Sequence, residues 1–411
     1  MSIGRKPKNL KQGNSRTLIE LMRKSDMLSV TDVSEKIKLS KTTVKKIFDS
    51  LLLDGLIFAA GKGDSTDEGG KKPELYCLNK DFGYTICIHV TPDEILVATT
   101  DFKAEITHLE KVEIKAEREL AGLIERFAVS IEAQCRLKQT SGQQLLGVSL
   151  ILTSLVDAEN GISIHSFFYP GWGENAPIVA LLQHRLGPDF KVPIYADNTN
   201  RYQALAESSK ELAAGYRNFI IVDALPEGLG SGIVLNGVIL RGLQSISGEI
   251  GHMTLESRGG FPCVCGNRGC FEAMVSERRL LSLARKLAPN YLASSLFAEK
   301  KIDAISLEDI CHGVTEKDPM CICLIDDVVR WFVVGLGNII MISDPELIVI
   351  QGIYTKAGPY FLEQIKKGIK HIGLPRVEKK VSIVYSSLGE ERGVIGGAVY
   401  AITKYLSAHV Y

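Results

Sequence analysis

Three cysteines and one histidine within nineteen residues constrain this chain more than any other feature. They lie in Gly248-Glu249-Ile250-Gly251-His252, followed by Cys263-Val264-Cys265-Gly266-Asn267-Arg268-Gly269-Cys270-Phe271-Glu272. Thiolates and an imidazole are soft ligands suited to tetrahedral Zn²⁺. Gly266 and Gly269 permit the tight turns that fold three thiolates onto one ion. Four protein ligands (His252, Cys263, Cys265 and Cys270) leave no open position, so the expected Zn²⁺ is structural and pins a loop carrying Glu249 and Glu272. The competing reading is a set of buried, unliganded cysteines. With nine cysteines in all, and three so tightly grouped, metal binding is favoured over disulfides in a chain expected to be cytoplasmic.

The chain has 411 residues, 45% of them hydrophobic and 23% charged. Two or three domains with ample core are implied, and wholesale disorder, collagen and a disulfide scaffold are excluded. No apolar run approaches the roughly 18 residues of a membrane helix; the best stretch, 332–342, contains Asn338. Residues 1–13 are basic and polar with no apolar segment, unlike a signal peptide. The neutral total of 48 basic and 48 acidic residues hides an asymmetry. Residues 1–80 carry 16 Lys and Arg against 10 Asp and Glu, leaving 32 against 38 for the rest. A basic head on an acidic body suggests that the head meets an anionic partner.

Residues 1–79 read as a winged helix-turn-helix. Leu18, Leu21 and Met22 form the stripe of a first helix after Asn14-Ser15. Ser29 and Asp32 have capping-box spacing before a short helix with Val33 and Ile37 inward. Ser40 can cap a third helix whose Val44, Ile47, Phe48, Leu51 and Leu52 share one face. The opposite face offers Lys41, Thr42, Lys45, Lys46 and Asp49. Two short strands, 56–60 and 74–78, flank a Gly-rich loop ending in Lys71-Lys72-Pro73. The third helix is expected in a major groove, with Lys41, Thr42, Thr43, Lys45 and Lys46 on phosphates and bases and Lys71 and Lys72 on the wing. A solvated helical interaction domain is the plainer alternative.

From residue 80 onward, apolar runs at 84–90, 146–152, 219–224 and 347–350 alternate with helical stretches such as 120–138. That alternation implies an α/β body, expected as a first lobe over 80–200 joined by a C-terminal helix at 391–411, and a second lobe over 201–390.

The Gly-Glu-Ile-Gly-His run followed by Cys-x-Cys-Gly-x-x-Gly-Cys-x-Glu resembles the signature of the ROK family (repressors, open reading frames and sugar kinases), across roughly residues 80–411. Asp344-Pro345-Glu346, Gly232-Ile233-Val234-Leu235-Asn236-Gly237 and residues 393–398 match as well. The N-terminal winged helix is similar to that of the repressor branch. The resemblance implies an actin-like (ribonuclease H-like), two-lobed sugar kinase-type fold with a sugar cleft, and a second lobe bearing the zinc site and a dimer surface. It also implies sugar contacts from Glu249, His252 and Glu272, with one ring nitrogen of His252 on zinc and the other toward sugar. Asn175, in Gly171-Trp172-Gly173-Glu174-Asn175-Ala176-Pro177, resembles the family's sugar-binding Asn, with one extra residue after Trp172.

The same resemblance exposes three departures from a working kinase. The first phosphate turn should read Asp-x-Gly-Gly-Thr; here it is His89-Val90-Thr91-Pro92-Asp93, with a donor deleted and a negative charge added. The catalytic Asp position holds Thr199 or Asn198, depending on register, and neither takes a proton from a sugar hydroxyl. Asp197 serves only if the register slips, though Asp197 or Asn198 can still bond sugar. The second turn, Pro226-Glu227-Gly228-Leu229-Gly230-Ser231-Gly232, has Glu227 where Thr is usual. The Pro-Gly pair expected near Thr153-Ser154 is missing, and Gln351-Gly352 keeps one glycine of two. The expectation is a non-enzymatic, sugar-responsive repressor, a homodimer or homotetramer, reading two-fold related operator half-sites without any membrane partner. The alternatives are a sugar kinase with an added DNA-binding head, and a regulator that answers to a protein partner instead of sugar.

Overall fold

The computed structural model describes residues 7–63, 72–114, 119–139, 142–209, 211–213, 215–226, 228–374 and 376–409. The chain divides into two compact units: residues up to Glu211 together with Glu390–Tyr411, and Leu212–Gly389.

The first unit opens with α1 (Pro7–Arg23), β1 (Leu28–Ser29), α2 (Val30–Ile37), α3 (Lys41–Leu53), β2 (Ile57–Lys62) and β3 (Glu74–Leu78). Helix α1 begins well before the Asn14-Ser15 pair expected to open it. Pro7 at its first position sacrifices no helical hydrogen bond, and the helix runs through Gly13, whose carbonyl also accepts from the Thr17 hydroxyl (3.0 Å). Ser29 and Asp32 form the reciprocal capping box of α2: Ser29 Oγ accepts from the Asp32 N–H (3.2 Å) and Asp32 Oδ2 from the Ser29 N–H (2.8 Å). Lys38, left-handed at φ 54°, turns the chain into α3, where Ser40 caps by accepting from the Thr43 N–H (3.2 Å). Val44, Ile47, Phe48 and Leu51 are buried, and Phe48 packs on Tyr76 with ring centroids 4.6 Å apart. The wing is a three-stranded sheet in the order β1-β3-β2.

Next come β4 (Gly83–Val90), β5 (Glu94–Thr100), β6 (Ile106–Glu113), α4 (Leu120–Lys138), β7 (Gln144–Leu152), β8 (Leu155–Asp157), β9 (Ile162–His165), α5 (Ile178–Leu186), β10 (Ile194–Asn198) and α6 (Thr199–Ser209). The five-stranded sheet has the order β10-β7-β4-β5-β6, with β4, β5 and β6 antiparallel and β4, β7 and β10 parallel. Every residue of β4 is buried, as the central position of a covered sheet demands.

The second unit comprises β11 (Phe219–Leu225), β12 (Gly228–Leu235), β13 (Val238–Ile239), α7 (Phe271–Val275), α8 (Glu277–Leu287), α9 (Leu296–Glu299), α10 (Leu307–Thr315), α11 (Pro319–Ser343), β14 (Leu347–Gly352), α12 (Gly358–Ile369) and β15 (Ser382–Tyr385). Its sheet, β13-β12-β11-β14-β15, repeats the first plan: an antiparallel meander followed by two parallel strands. Helix α11 supplies the core, with Phe332 edge-on to Phe271, Tyr354 and Phe361.

Finally α13 (Arg392–His409) returns to the first unit. At Gly396 any Cβ would stand 1.7 Å from the Tyr202 carbonyl oxygen, so α13 meets α6 backbone to backbone. One continuous apolar set joins Leu18, Ile19 and Met22 of α1 to Phe102, Tyr202, Val394, Ile402 and Leu406. The winged helix therefore shares its core with the first lobe. Among the described residues, no helix is long and apolar enough to cross a membrane.

Candidate functional site

In the second unit, the ligand atoms of His252, Cys263, Cys265 and Cys270 all lie within 4.8 Å of one another. Cys265 Sγ is 3.7 Å from Cys270 Sγ, and Cys263 Sγ is 3.7 Å from His252 Nδ1. Zinc–thiolate bonds of about 2.3 Å in tetrahedral geometry put neighbouring sulfurs about 3.8 Å apart, so the donor set fits that ion.

Local backbone chemistry builds this knot. His252 ends a single 3₁₀ turn, Ile250–His252, and Cys270 immediately precedes α7. The Cys263 N–H donates to the Asn267 carbonyl (2.9 Å), closing the loop that holds Cys265. Gly269 is left-handed (φ 70°), and a Cβ there would sit 1.8 Å from the Glu256 carbonyl oxygen; no other residue fits. Gly251 is equally tight against Leu229 of β12, at 2.1 Å.

Glu272 touches the knot directly. Its Oε1 accepts from the Cys263 thiol (2.9 Å) and lies 3.5 Å from His252 Nδ1, while Oε2 accepts from the Leu229 N–H (3.4 Å). Burial, then the Glu272 carboxylate, push the Cys263 thiol pKa up; a divalent cation reverses that logic. Glu249, half-buried, precedes the same 3₁₀ turn. Glu249, His252, Glu272 and the three cysteines thus share one small region.

The other sugar candidates belong to the first unit. Asp197 Oδ1, near the end of β10, accepts from Arg201 Nη1 (2.9 Å) and from the Asn198 N–H (2.8 Å). Arg201 is itself buried and donates to the Val156 carbonyl (3.1 Å). The Asn198 side chain donates to the Ser154 carbonyl (2.9 Å) and accepts from the Asn200 N–H (2.8 Å). Asn175 is exposed and left-handed (φ 55°), its N–H on the Ile164 carbonyl (3.0 Å).

The β4–β5 turn is closed on itself. Thr91 donates to the Glu94 carbonyl from both its N–H (2.9 Å) and its hydroxyl (3.0 Å), and its hydroxyl accepts from the Glu94 N–H (3.2 Å). The Tyr169 hydroxyl donates to the Thr91 carbonyl. Behind the turn, buried His89 has Nε2 3.4 Å from Thr199 Oγ1, so the start of that turn and the start of α6 touch each other. Burial and nearby Arg392 push the His89 pKa down to about 4, making the ring neutral at pH 7. The His89–Thr199 contact spans 110 residues and has no signal in the sequence; the Asp197–Arg201 pair, four apart at a helix start, does.

On α3, Lys41, Thr42, Lys45 and Lys46 are exposed, while the Thr43 hydroxyl is engaged with Ser40 (2.8 Å). Lys45 pairs with Asp49 (3.2 Å), which holds its pKa up. Lys72 is exposed; Lys71 and Glu227 lie outside the described residues.

Residues 85–404 match the model of the ROK family. The xylose repressor of Caldicellulosiruptor bescii is 27% identical over 405 residues, 98% of each chain. Among solved structures, a ROK family transcriptional regulator described as a homologue of the Escherichia coli Mlc protein shares the fold at TM-score 0.78 and 23% identity, covering 97% of this chain and 98% of its own. A ROK family glucokinase from Streptomyces griseus, solved with glucose and AMPPNP, shares it at TM-score 0.62 and 22% identity, covering 77% of this chain and 98% of its own.

Proposed function

The chain belongs to the ROK family, and from that premise we propose that it is a DNA-binding transcriptional repressor whose operator affinity is set by a sugar. The observation that carries this reading is a doubly capped winged helix with an exposed basic α3, joined to a family body whose first phosphate turn is closed. Lys41, Thr42, Lys45 and Lys46, with Lys72 on the wing, meet operator phosphates and base edges. Thr43 serves chiefly to fix the start of α3. Two heads in a homodimer read two-fold related half-sites.

His252, Cys263, Cys265 and Cys270 hold one Zn²⁺ as a closed tetrahedral site. Bound there, the ion supplies cross-linking rather than water activation. It holds Glu249, Glu272 and the remaining nitrogen of His252 ready for sugar hydroxyls. In the first unit, Asn175 and Asn198 offer amides suited to the same hydroxyl chemistry, and Asp197 holds the end of β10 in place through Arg201. The relative's name makes xylose the first sugar to test. Sugar weakens operator binding because its affinity differs between the two conformational states of the protein.

Phosphoryl transfer is absent in this reading. A neutral His89, with Thr199 or Asn198 at the base position, supplies neither a carboxylate near the nucleotide metal nor a general base, and the Thr91 and Glu94 N–H groups of the β4–β5 turn are already spent on each other's residue. The testing experiment measures binding of duplexes from the gene's own promoter region across a sugar panel, with ATP consumption followed in parallel. A specific, sugar-weakened complex with no ATP consumption supports the reading; sugar-dependent ATP turnover would instead favour the kinase with an added head.

A further inference from the structure

A crevice of about 180 Å³ opens within the first unit where the end of α1 meets the β5–β6 turn and the end of α6. The head lines it with Arg23, Lys24 and Asp26, the lobe with Lys103, Glu105 and Ser209. Three cations thus face two acids. The Lys103 side chain is 15% exposed, yet its counter-ion Asp26, 3.3 Å away, is 98% exposed. A fully hydrated carboxylate holds such a pair weakly and gives way to a stronger anion. Lys24 Nζ donates to the neutral Ser208 carbonyl (2.8 Å), and burial, then neighbouring Arg23, push its pKa down.

Lys103 is also preset. Asp101 Oδ1 accepts from the Lys103 N–H (2.8 Å) and the Glu105 N–H (3.0 Å), fixing the turn that presents its side chain. Glu105 itself is exposed.

We propose that this crevice binds a small oxyanion, phosphate or the phosphoryl group of a small metabolite, through Lys24, Lys103 and Arg23. Three charge-assisted donors suit a dianion's several acceptor oxygens, and Asp26 is the group it displaces. Because Lys24 follows α1 directly and Lys103 belongs to the lobe, the anion cross-links the head to the first lobe. The crevice shares no residue with the sugar candidates, and its chemistry is the same whether or not the chain proves to be a repressor.

The test is calorimetric titration of the full-length protein with inorganic phosphate, and separately with glycerol phosphate, at constant ionic strength. Saturable binding of one anion per chain is expected. Lys24→Gln and Lys103→Gln should each weaken it about tenfold. Asp26→Asn, at a fully exposed side chain that leaves the core untouched, should strengthen it severalfold. Tighter binding of glycerol phosphate points to a metabolite, and equal binding to free phosphate; both support the site. Absence of saturable binding, or equal affinity in wild type and all three variants, overturns it. So does a lysine variant that lowers the salt dependence of duplex binding while leaving phosphate uptake unchanged, since those lysines would then touch the DNA backbone.

Discussion

The two five-stranded sheets share one strand order, yet they anchor different things. The first lobe merges its core with the winged helix, so that Leu18 and Met22 of α1 belong to the same apolar set as Phe102 and Leu406. The second lobe keeps a core of its own around Phe332 and fastens the cysteine–histidine knot to β12 through Gly251 and Glu272. One lobe shares its core with the head proposed to face DNA; the other holds the acidic side chains proposed to meet sugar. The duplicated plan thus supplies two platforms, and they differ in what each is fused to.

The sharpest way to break this division is at the knot. Cys265→Ser should take zinc from about one ion per chain to near none and abolish the sugar response, because a closed four-ligand site tolerates no missing thiolate. Operator binding without sugar should persist, since the head's core lies in the other unit. A retained sugar response in the zinc-free variant would uncouple metal from sensing.

Phe102→Ala attacks the shared core. Removing this buried ring should cost about 3–5 kcal/mol, and the head and first lobe should lose stability together, read as a joint fall in duplex binding and in protection of β4. Phe332→Ala, of similar size, should spare the head.

His89 sharpens the comparison through pH. Its folded pKa, about 4, lies below the ordinary histidine value of 6.5, so the unfolded chain binds the proton first. Stability should therefore fall as pH drops from about 6.5 toward 4, by up to about 3 kcal/mol from this group. His89→Gln should flatten that part of a denaturation–pH profile; an unchanged profile would place the sensitivity elsewhere.

The smallest expected effect is on the DNA face. Lys45→Ala with Lys46→Ala should reduce the slope of log affinity against log salt by roughly 0.9 for each operator phosphate left without its lysine, leaving zinc content intact. An unaltered slope would move the recognition surface off α3.

Much of this is legible in sequence where the determining interactions are local. The Ser29–Asp32 capping box, the α3 stripe and the cysteine spacing each span a few residues, and each is found at the expected place. The ROK resemblance carries the fold class, and the family match over 85–404 agrees with it. Long-range relations are not legible. The equal strand order of the two sheets depends on pairings such as β4 with β7 and β11 with β14. The His89–Thr199 contact and the joint core of head and lobe likewise arise only when distant segments pack. The start of α1 departs from the sequence expectation because Asn14-Ser15 looks like a cap, whereas Pro7 already suits a first helical turn.

The most direct test is fluorescence anisotropy of a duplex from the gene's own promoter region, titrated with the zinc-loaded protein, with and without xylose and a panel of other sugars. Tight, salt-sensitive binding that at least one free sugar weakens in the absence of nucleotide is the expected result. Binding no stronger than to an unrelated duplex, or a sugar effect that appears only when ATP is consumed, would contradict it.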